Sequence, residues 1–88
     1  MSHTVIAVKP LPSYKLLLTF ENGENRIFDV TPYLSLGVFA ELKDVSLFNA
    51  VRISFDTVEW QNGADLCPDL LYTDSLPVNQ TPSSQPSA

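Results

Sequence analysis

The segment from Tyr14 to Val30 constrains the fold more than any other part of the chain, because it alternates apolar and polar side chains around a turn. Apolar side chains occupy every second position of its first half: Tyr14, Leu16, Leu18 and Phe20. This is the period of a β-strand with one buried face. Residues 24–30 predict a second strand, and the Glu21-Asn22-Gly23 stretch between them is typical of a tight turn. The sequence therefore predicts a β-hairpin.

The face that the two strands bury fixes the length of this turn. A two-residue Asn22-Gly23 loop would place Phe28 on the opposite face from the leucines. A three-residue loop, with Gly23 in the left-handed region as a bulge, pairs Leu16 with Phe28 and keeps the apolar side chains on one face. We therefore expect the three-residue loop.

The same register leaves two apolar residues, Leu17 and Ile27, on the second face of the hairpin. They are either covered by another part of the chain or exposed as part of an interface. A chain of 88 residues can bury only a limited share of its surface. We therefore expect a homodimer that covers this second face or pairs an exposed sheet edge.

The rest of the chain predicts short elements joined by turns. Strands are predicted over residues 5–8, 51–55 and 58–60, with Asp56-Thr57 as the turn between the last two. Helices are predicted from Thr31-Pro32 as far as Gly37, over residues 45–50 behind Asp44, and around residues 68–72. The expected class is α+β, a small, mainly antiparallel sheet of about five strands with two or three short helices. Residues 1–76 form one domain, and residues 77–88 form a Ser/Pro-rich tail predicted to be disordered.

Cysteine usage and the N-terminus indicate a protein of the cytoplasm. The chain has one cysteine, Cys67, so it cannot form an intrachain disulfide, which favours a reducing compartment. The N-terminus lacks the pattern of a signal peptide. The longest apolar run is Leu16-Leu17-Leu18, far short of a membrane span. We expect no contact with a membrane.

Charge is distributed unevenly along the chain, although the net charge of −5 is modest. Residues 1–52 contain all five basic residues and five acids, so this part is neutral. The part from Ile53 onward has no lysine or arginine and contains five acids: Asp56, Glu59, Asp65, Asp69 and Asp74. Nucleic-acid binding requires clustered basic residues, so direct binding of DNA or RNA is not expected. An acidic surface can instead steer a basic partner.

The sequence contains no recognisable catalytic set, metal framework or cofactor motif. The single histidine, His3, lies at a terminus expected to fray, and with Cys67 it falls short of the four ligands of a structural zinc site. Asp65 and Asp69, four residues apart, could serve a small ligand or acid–base chemistry, but helix capping and the helix dipole explain them equally well. We predict no catalytic residue, no metal and no cofactor.

Trp60 has two interpretations. Tryptophan is enriched at the centres of protein interfaces, and Trp60 precedes an acidic turn. It also continues the alternation of Val58, which predicts a core position. The core interpretation is favoured, although both roles can coexist at the rim of an interface.

Several segments together resemble a known family, bacterial domain-of-unknown-function family 2442. The segments are Val5 with Pro10, Tyr14-x-Leu16-x-Leu18-x-Phe20-x-Asn22-Gly23, Phe28-Asp29-Val30, Gly37-Val38-Phe39-x-x-Leu42-x-Asp44, Phe48, and Val58-x-Trp60-x-Asn62-Gly63-x-Asp65-x-x-Pro68-Asp69-x-Leu71-Tyr72. The resemblance covers about residues 4–73, and the last segment is the most specific.

This resemblance implies a small α+β protein without an established activity. Some members resemble this domain fused to a helix-turn-helix, and some are encoded beside another small protein in a toxin–antitoxin-like arrangement. After Leu76 the present chain continues only with its Ser/Pro-rich segment. DNA binding inferred from the fused members is therefore not expected here, and the family supplies no catalytic residue to carry over.

Together these observations favour a non-enzymatic protein-interaction or regulatory module, an antitoxin-like acidic partner of a small basic protein. The predicted contact residues are Glu59, Trp60, Asp65, Asp69 and Tyr72, and the predicted dimer interface contains Leu17 and Ile27. The alternative is a small-ligand-binding or enzymatic domain that uses Asp65 and Asp69.

Overall fold

Short strands and helices alternate along the chain in the computed structural model, which describes residues 3–78. The elements are β1 (Val5–Leu11), β2 (Lys15–Phe20), β3 (Asn25–Asp29), a first 3₁₀ helix (Thr31–Tyr33), a second 3₁₀ helix (Gly37–Lys43), α1 (Val45–Phe48), β4 (Arg52–Ser54), β5 (Thr57–Glu59), β6 (Asp65–Leu66), α2 (Pro68–Thr73) and β7 (Leu76–Pro77). Sheet A has the strand order β1-β2-β3-β7 and sheet B the order β4-β5-β6, and all pairs are antiparallel. The α+β class with short helices is confirmed, and the strands divide between two sheets instead of one.

The central hairpin has the predicted register. Leu16 pairs with Phe28 and Lys15 with Asp29. The backbone N–H of Phe20 donates to the carbonyl of Glu24 at 2.9 Å across the three-residue loop. The apolar side chains of this face are buried, so the requirement for one buried face does select the loop length.

A second loop repeats this geometry in sheet B. Gly63 N–H donates to the carbonyl of Trp60 at 3.0 Å, and the amide oxygen of Asn62 accepts from Ala64 N–H at 3.0 Å. Gly23 and Gly63 have φ angles of +92° and +91°, which side chains rarely adopt. The Asn-Gly pair thus closes both hairpins by the same local hydrogen bonds.

Substitution of either glycine measures the cost of this backbone conformation. A Cβ at Gly23 or Gly63 would meet no other atom within 4 Å, so the penalty comes from the positive φ alone. We expect Gly23→Ala and Gly63→Ala each to lower the free energy of unfolding by about 1–2 kcal/mol in urea denaturation. Asparagine at the same positions should cost less, because it tolerates the left-handed region. Equal losses for alanine and asparagine would contradict this explanation.

The core lies between the buried faces of the two sheets and is closed by the helices. Its buried apolar residues are Val5, Leu16, Leu18, Phe20, Phe28, Val30, Leu34, Leu42, Phe48, Val58, Trp60, Ala64, Leu66 and Leu71. The indole N–H of Trp60 donates to the carbonyl of Phe48 at 3.0 Å. A buried polar group needs such a partner, so this bond fixes the ring orientation.

Aromatic ring contacts run from sheet A to sheet B and back. The centroid distances are 5.6 Å for Phe28–Tyr33, 6.1 Å for Tyr33–Phe39, 6.5 Å for Phe39–Trp60, 6.0 Å for Trp60–Phe48 and 5.4 Å for Phe48–Tyr14. Offset and edge-to-face contacts at these distances are the preferred geometries of aromatic pairs. The chain of rings therefore joins the two sheets through the helical segments between them.

The first two predicted helices are shorter than expected, whereas α2 (Pro68–Thr73) covers the predicted residues 68–72. The first 3₁₀ helix ends at Tyr33, and Gly37, which was predicted to end it, begins the second one with a φ angle of +45°. The helical path is interrupted before Gly37, because Leu36 has an extended backbone with φ and ψ angles of −110° and 114°. Asp44 caps α1 as predicted, because its carboxylate accepts from the N–H of Ser46 at 3.0 Å.

Sheet A extends beyond the predicted domain boundary at residue 76. Pro77 pairs with Arg26, and the N–H of Val78 donates to the carbonyl of Asn25 at 2.9 Å. The remainder of the predicted disordered tail, residues 79–88, lies outside the described residues. Within residues 3–78 no helix has the length and apolar character needed to cross a membrane.

Candidate functional site

The five predicted contact residues lie in three different environments. Glu59 and Asp65 are cross-strand neighbours on β5 and β6 of sheet B. Asp69 and Tyr72 lie on α2, one turn apart. Trp60 is 0% exposed, so the structure places it in the core, the interpretation that its alternation with Val58 favours. Its side chain is not available to a partner.

Glu59 and Asp65 form a pair of neighbouring carboxylates on the exposed face of sheet B. Residues directly opposite on antiparallel strands have Cβ atoms about 4.5–5.5 Å apart, and like charges in this position are destabilising. On the other side of Glu59, the Arg52 guanidinium lies 3.5 Å from its carboxylate. The exposed Asp65 side chain forms no hydrogen bond or ion pair with any described residue. One carboxylate of the pair is therefore left without a counter-charge.

Tyr72 has a structural role that the sequence did not predict. The His3 imidazole stacks on its ring at 4.0 Å with an interplanar angle of 9°, and the Arg26 guanidinium lies 4.3 Å from the same ring centroid. Two groups this close to one centroid occupy opposite faces of the ring. The Nδ1 atom of His3 lies 3.1 Å from the Asp69 carboxylate. The N-terminal segment, predicted to fray at His3, is thus held against α2.

The hydroxyl of Tyr72 joins this stack to β3. It donates to the Glu24 carboxylate at 2.8 Å, and Arg26 donates to the other oxygen of Glu24 at 3.0 Å. The hydrogen bond from Tyr72, followed by that from Arg26, lowers the pKa of the Glu24 carboxyl. The hydrogen bond to Glu24 and partial burial raise the pKa of Tyr72. Each group thus stabilises the protonation state that the other has at neutral pH.

Arg26 anchors the end of α2 as well. Its Nε donates to the hydroxyl of Ser75 at 2.7 Å, and Nη2 donates to the carbonyl of the same residue at 2.8 Å. Ser75 is buried at 3% exposure. The cluster of His3, Glu24, Arg26, Tyr72 and Ser75 therefore fastens α2 and the N-terminal segment to sheet A.

The Tyr72–Glu24 bond gives a pH-dependent contribution to stability. Tyr72 has a folded-state pKa above its unfolded value, so its contribution is complete below about pH 10 and is lost as the pH rises through the folded pKa. Glu24 has a lowered folded-state pKa, so its contribution is complete above about pH 5 and is lost as the pH falls. The free energy of unfolding of Tyr72→Phe should therefore differ most from that of the wild type between these limits.

Urea denaturation from pH 3 to pH 11 measures this difference. The matched variant is Glu24→Gln, and the double variant completes a thermodynamic cycle. We expect the two substitutions to be non-additive near neutral pH, because both weaken the same charge-assisted hydrogen bond: Tyr72→Phe removes its donor, and Glu24→Gln removes the negative charge of its acceptor. Additive effects, or a difference that does not change with pH, would contradict the coupling.

Asp65 and Asp69 are both exposed and have different neighbours. Asp69 contacts His3, and 72% of its side chain is exposed. Asp65 is also exposed, and its cross-strand neighbour is Glu59. Catalytic carboxylates are commonly set in a cleft that perturbs them. The exposure of both side chains gives no support to the small-ligand or enzymatic alternative.

Phe55 lies in a loop instead of the predicted strand. It was predicted on a strand in phase with Ile53, but it is the first residue of a two-residue loop, with a φ angle of +58° and 98% exposure. Period-two alternation cannot distinguish a Phe55-Asp56 loop from an Asp56-Thr57 loop, because both place Ile53 on the same face as Val58. The charge pair of Arg52 opposite Glu59 forms only with the observed loop, and it was the signal available in the sequence.

A second strained loop adjoins a groove at the other end of β1. Ser13 and Tyr14 have φ angles of +65° and +61° in the loop between β1 and β2. The hydroxyl of Tyr14 donates to the carbonyl of Lys43 at 2.6 Å, which holds the loop against the helical segment. The groove between this loop and α1 has a volume of about 350 Å³. Non-glycine residues with positive φ are often found at functional sites.

The predicted dimer face is a row across sheet A. Leu17 pairs with Ile27, and Ile27 pairs with Leu76 of β7. Leu17 and Ile27 are partly buried, and Leu76 is 73% exposed. These three residues are apolar, and the row ends on β1 with Lys9, which pairs with Leu17. Homodimer formation through this face stays a prediction.

The fold and the site together define a small two-sheet α+β domain in which the exposed Asp65 lies beside the partly buried Glu59 on one sheet. Within residues 3–78, no group of three or more His, Cys, Asp and Glu side chains is arranged to hold a metal ion. The model of a family described as a protein of unknown function, DUF2442, matches residues 5–76. The chain belongs to this family, which confirms the resemblance seen in the sequence. No curated protein and no solved structure matches the chain.

Proposed function

We propose that this protein is a non-enzymatic interaction module whose sheet B binds a small basic protein in an antitoxin-like manner. The observation that carries the proposal is the Glu59–Asp65 pair, in which the Asp65 carboxylate has no counter-charge among the described residues. A cation from a partner would convert a like-charge contact into a favourable one. Two adjacent carboxylates also suit an arginine, whose guanidinium can donate to several oxygens.

The surrounding charge supports a basic partner. Residues 53–78 contain five acids and no lysine or arginine, and Asp69 adds an exposed carboxylate three residues after β6. Charge complementarity of this kind raises the association rate and excludes partners of the wrong sign. Binding should therefore weaken as ionic strength rises.

The proposed setting is the cytoplasm. Cys67 is an exposed free thiol, and exposed thiols stay reduced in a reducing compartment such as the cytoplasm. Its location between β6 and α2 places it beside the proposed surface.

The experiment is an affinity capture of the tagged protein from lysate of its source organism, comparing Asp65→Lys with Glu21→Lys. Both substitutions reverse one exposed charge whose side chain contacts no described polar group. Asp65→Lys also places a lysine opposite Glu59, which should preserve or increase stability. Loss of binding cannot then be attributed to unfolding, which thermal denaturation verifies.

We expect the wild type and Glu21→Lys to retain a small basic protein in stoichiometric amount. Asp65→Lys should retain at least about tenfold less, as measured by quantitative mass spectrometry. Equal retention by the two variants, or the absence of a stoichiometric basic partner, would contradict the proposed function.

A further inference from the structure

Phe55 is an exposed aromatic ring on a rigid support. Its ring is 98% exposed, and its φ angle of +58° is unfavourable for a bulky side chain. The loop is held on both sides, because Ser54 pairs with Thr57 and the carbonyl of Asp56 accepts from the N–H of Val5 at 3.0 Å. A rigid aromatic side chain loses little conformational entropy on binding, which suits it to anchor an interface.

The groove beside α1 has the size and lining to accept such a ring. Six residues supply most of its wall: Pro10, Leu11, Pro12, Tyr14, Val45 and Phe48. Tyr14 and Phe48 are in edge-to-face contact at 5.4 Å, and Val45 is 56% exposed. A volume of about 350 Å³ exceeds what one aromatic side chain requires. The walls are mainly apolar, with Ser13 and Asn49 as the polar residues of the lining. The hydrogen bond from the Tyr14 hydroxyl to the carbonyl of Lys43 holds one wall in place.

The Phe55 ring cannot reach the groove of its own chain. The loop that carries Phe55 is bonded to Val5, at the start of β1, whereas the groove is formed by Pro10 and Leu11 at the end of that strand. Six steps along a strand span roughly 20 Å, which exceeds the reach of one side chain. Phe55 can therefore enter such a groove only on another molecule.

We propose that the occupant is a second copy of this chain, with Phe55 of each copy inserted into the groove of the other. A molecule that carries both the ring and the groove can form two identical contacts at once, which closes a two-fold symmetric dimer. Charge favours this occupant, because Phe55 is followed by Asp56, whereas the charged residues next to the groove are Lys9, Lys15 and Lys43 against Asp29 and Asp44, which leaves a net positive charge. The basic partner proposed for sheet B lacks this complementarity to the groove, and the dimer does not depend on that partner.

Sedimentation equilibrium of the full chain over a range of concentrations tests the proposal. We expect a monomer–dimer equilibrium for the wild type. Phe55→Asn should weaken dimerisation at least tenfold while leaving the monomer at least as stable, because asparagine tolerates positive φ. Val45→Glu should have a similar effect, because it narrows the groove and repels Asp56 of the other copy. Circular dichroism verifies that both variants are folded.

Mixing the two variants distinguishes a specific contact from nonspecific association. Phe55→Asn retains the groove and Val45→Glu retains the ring, so an equimolar mixture can restore one of the two contacts. We expect this mixture to dimerise more strongly than either variant alone and less strongly than the wild type. The control variant Leu76→Ser, on the second face of sheet A, should dimerise as the wild type does.

Three outcomes would overturn the proposal. The first is a monomer mass for the wild type at every concentration. The second is unchanged dimerisation of Phe55→Asn together with loss of dimerisation in Leu76→Ser, which would place the interface on the row of Leu17, Ile27 and Leu76. The third is a mixture of Phe55→Asn and Val45→Glu that associates no better than its components.

Discussion

The buried indole of Trp60 holds together parts of the fold that share few backbone hydrogen bonds. It is bonded to the carbonyl of Phe48 and contacts the rings of Phe39 and Phe48. Through Phe48 these contacts continue to Tyr14 and the strained loop of sheet A. Because the two sheets share no strand, side-chain packing rather than a β-ladder unites them. The Phe55 loop and the groove beside α1 lie near the two ends of β1, and their relative position depends on this packing.

The sequence predicted the parts of the fold that local rules determine. The register of β2 and β3 followed from the buried face and from Gly23, and Asp44 was recognised as a cap because capping needs only a local side chain. Strands β6 and β7 could not be predicted, since each has two residues and is defined by its partner. Alternation predicted a strand at Phe55, because a shift of the hairpin register by two residues leaves the same side chains on each face.

The candidate site was predictable in composition but not in arrangement. The acidic character of residues 53–78 is visible in the sequence, yet the adjacency of Glu59 and Asp65 depends on the pairing of β5 with β6. The stack of His3, Tyr72 and Arg26 joins residues from three distant segments, and no local pattern indicates it. Tyr72 was predicted to contact a partner, but it instead contacts His3, Arg26 and Glu24 within the fold.

The burial of Trp60 also provides an optical signal of the folded state. It is the single tryptophan of the chain and lies at the centre of the core, so its fluorescence reports the integrity of the packing between the sheets. The ring of Phe55 and the carboxylate of Asp65 lie on the surface. Emission that stays constant while a surface residue is altered therefore identifies an intact fold. The fluorescence of Trp60 thus distinguishes a variant that has lost a surface contact from one whose core is no longer packed.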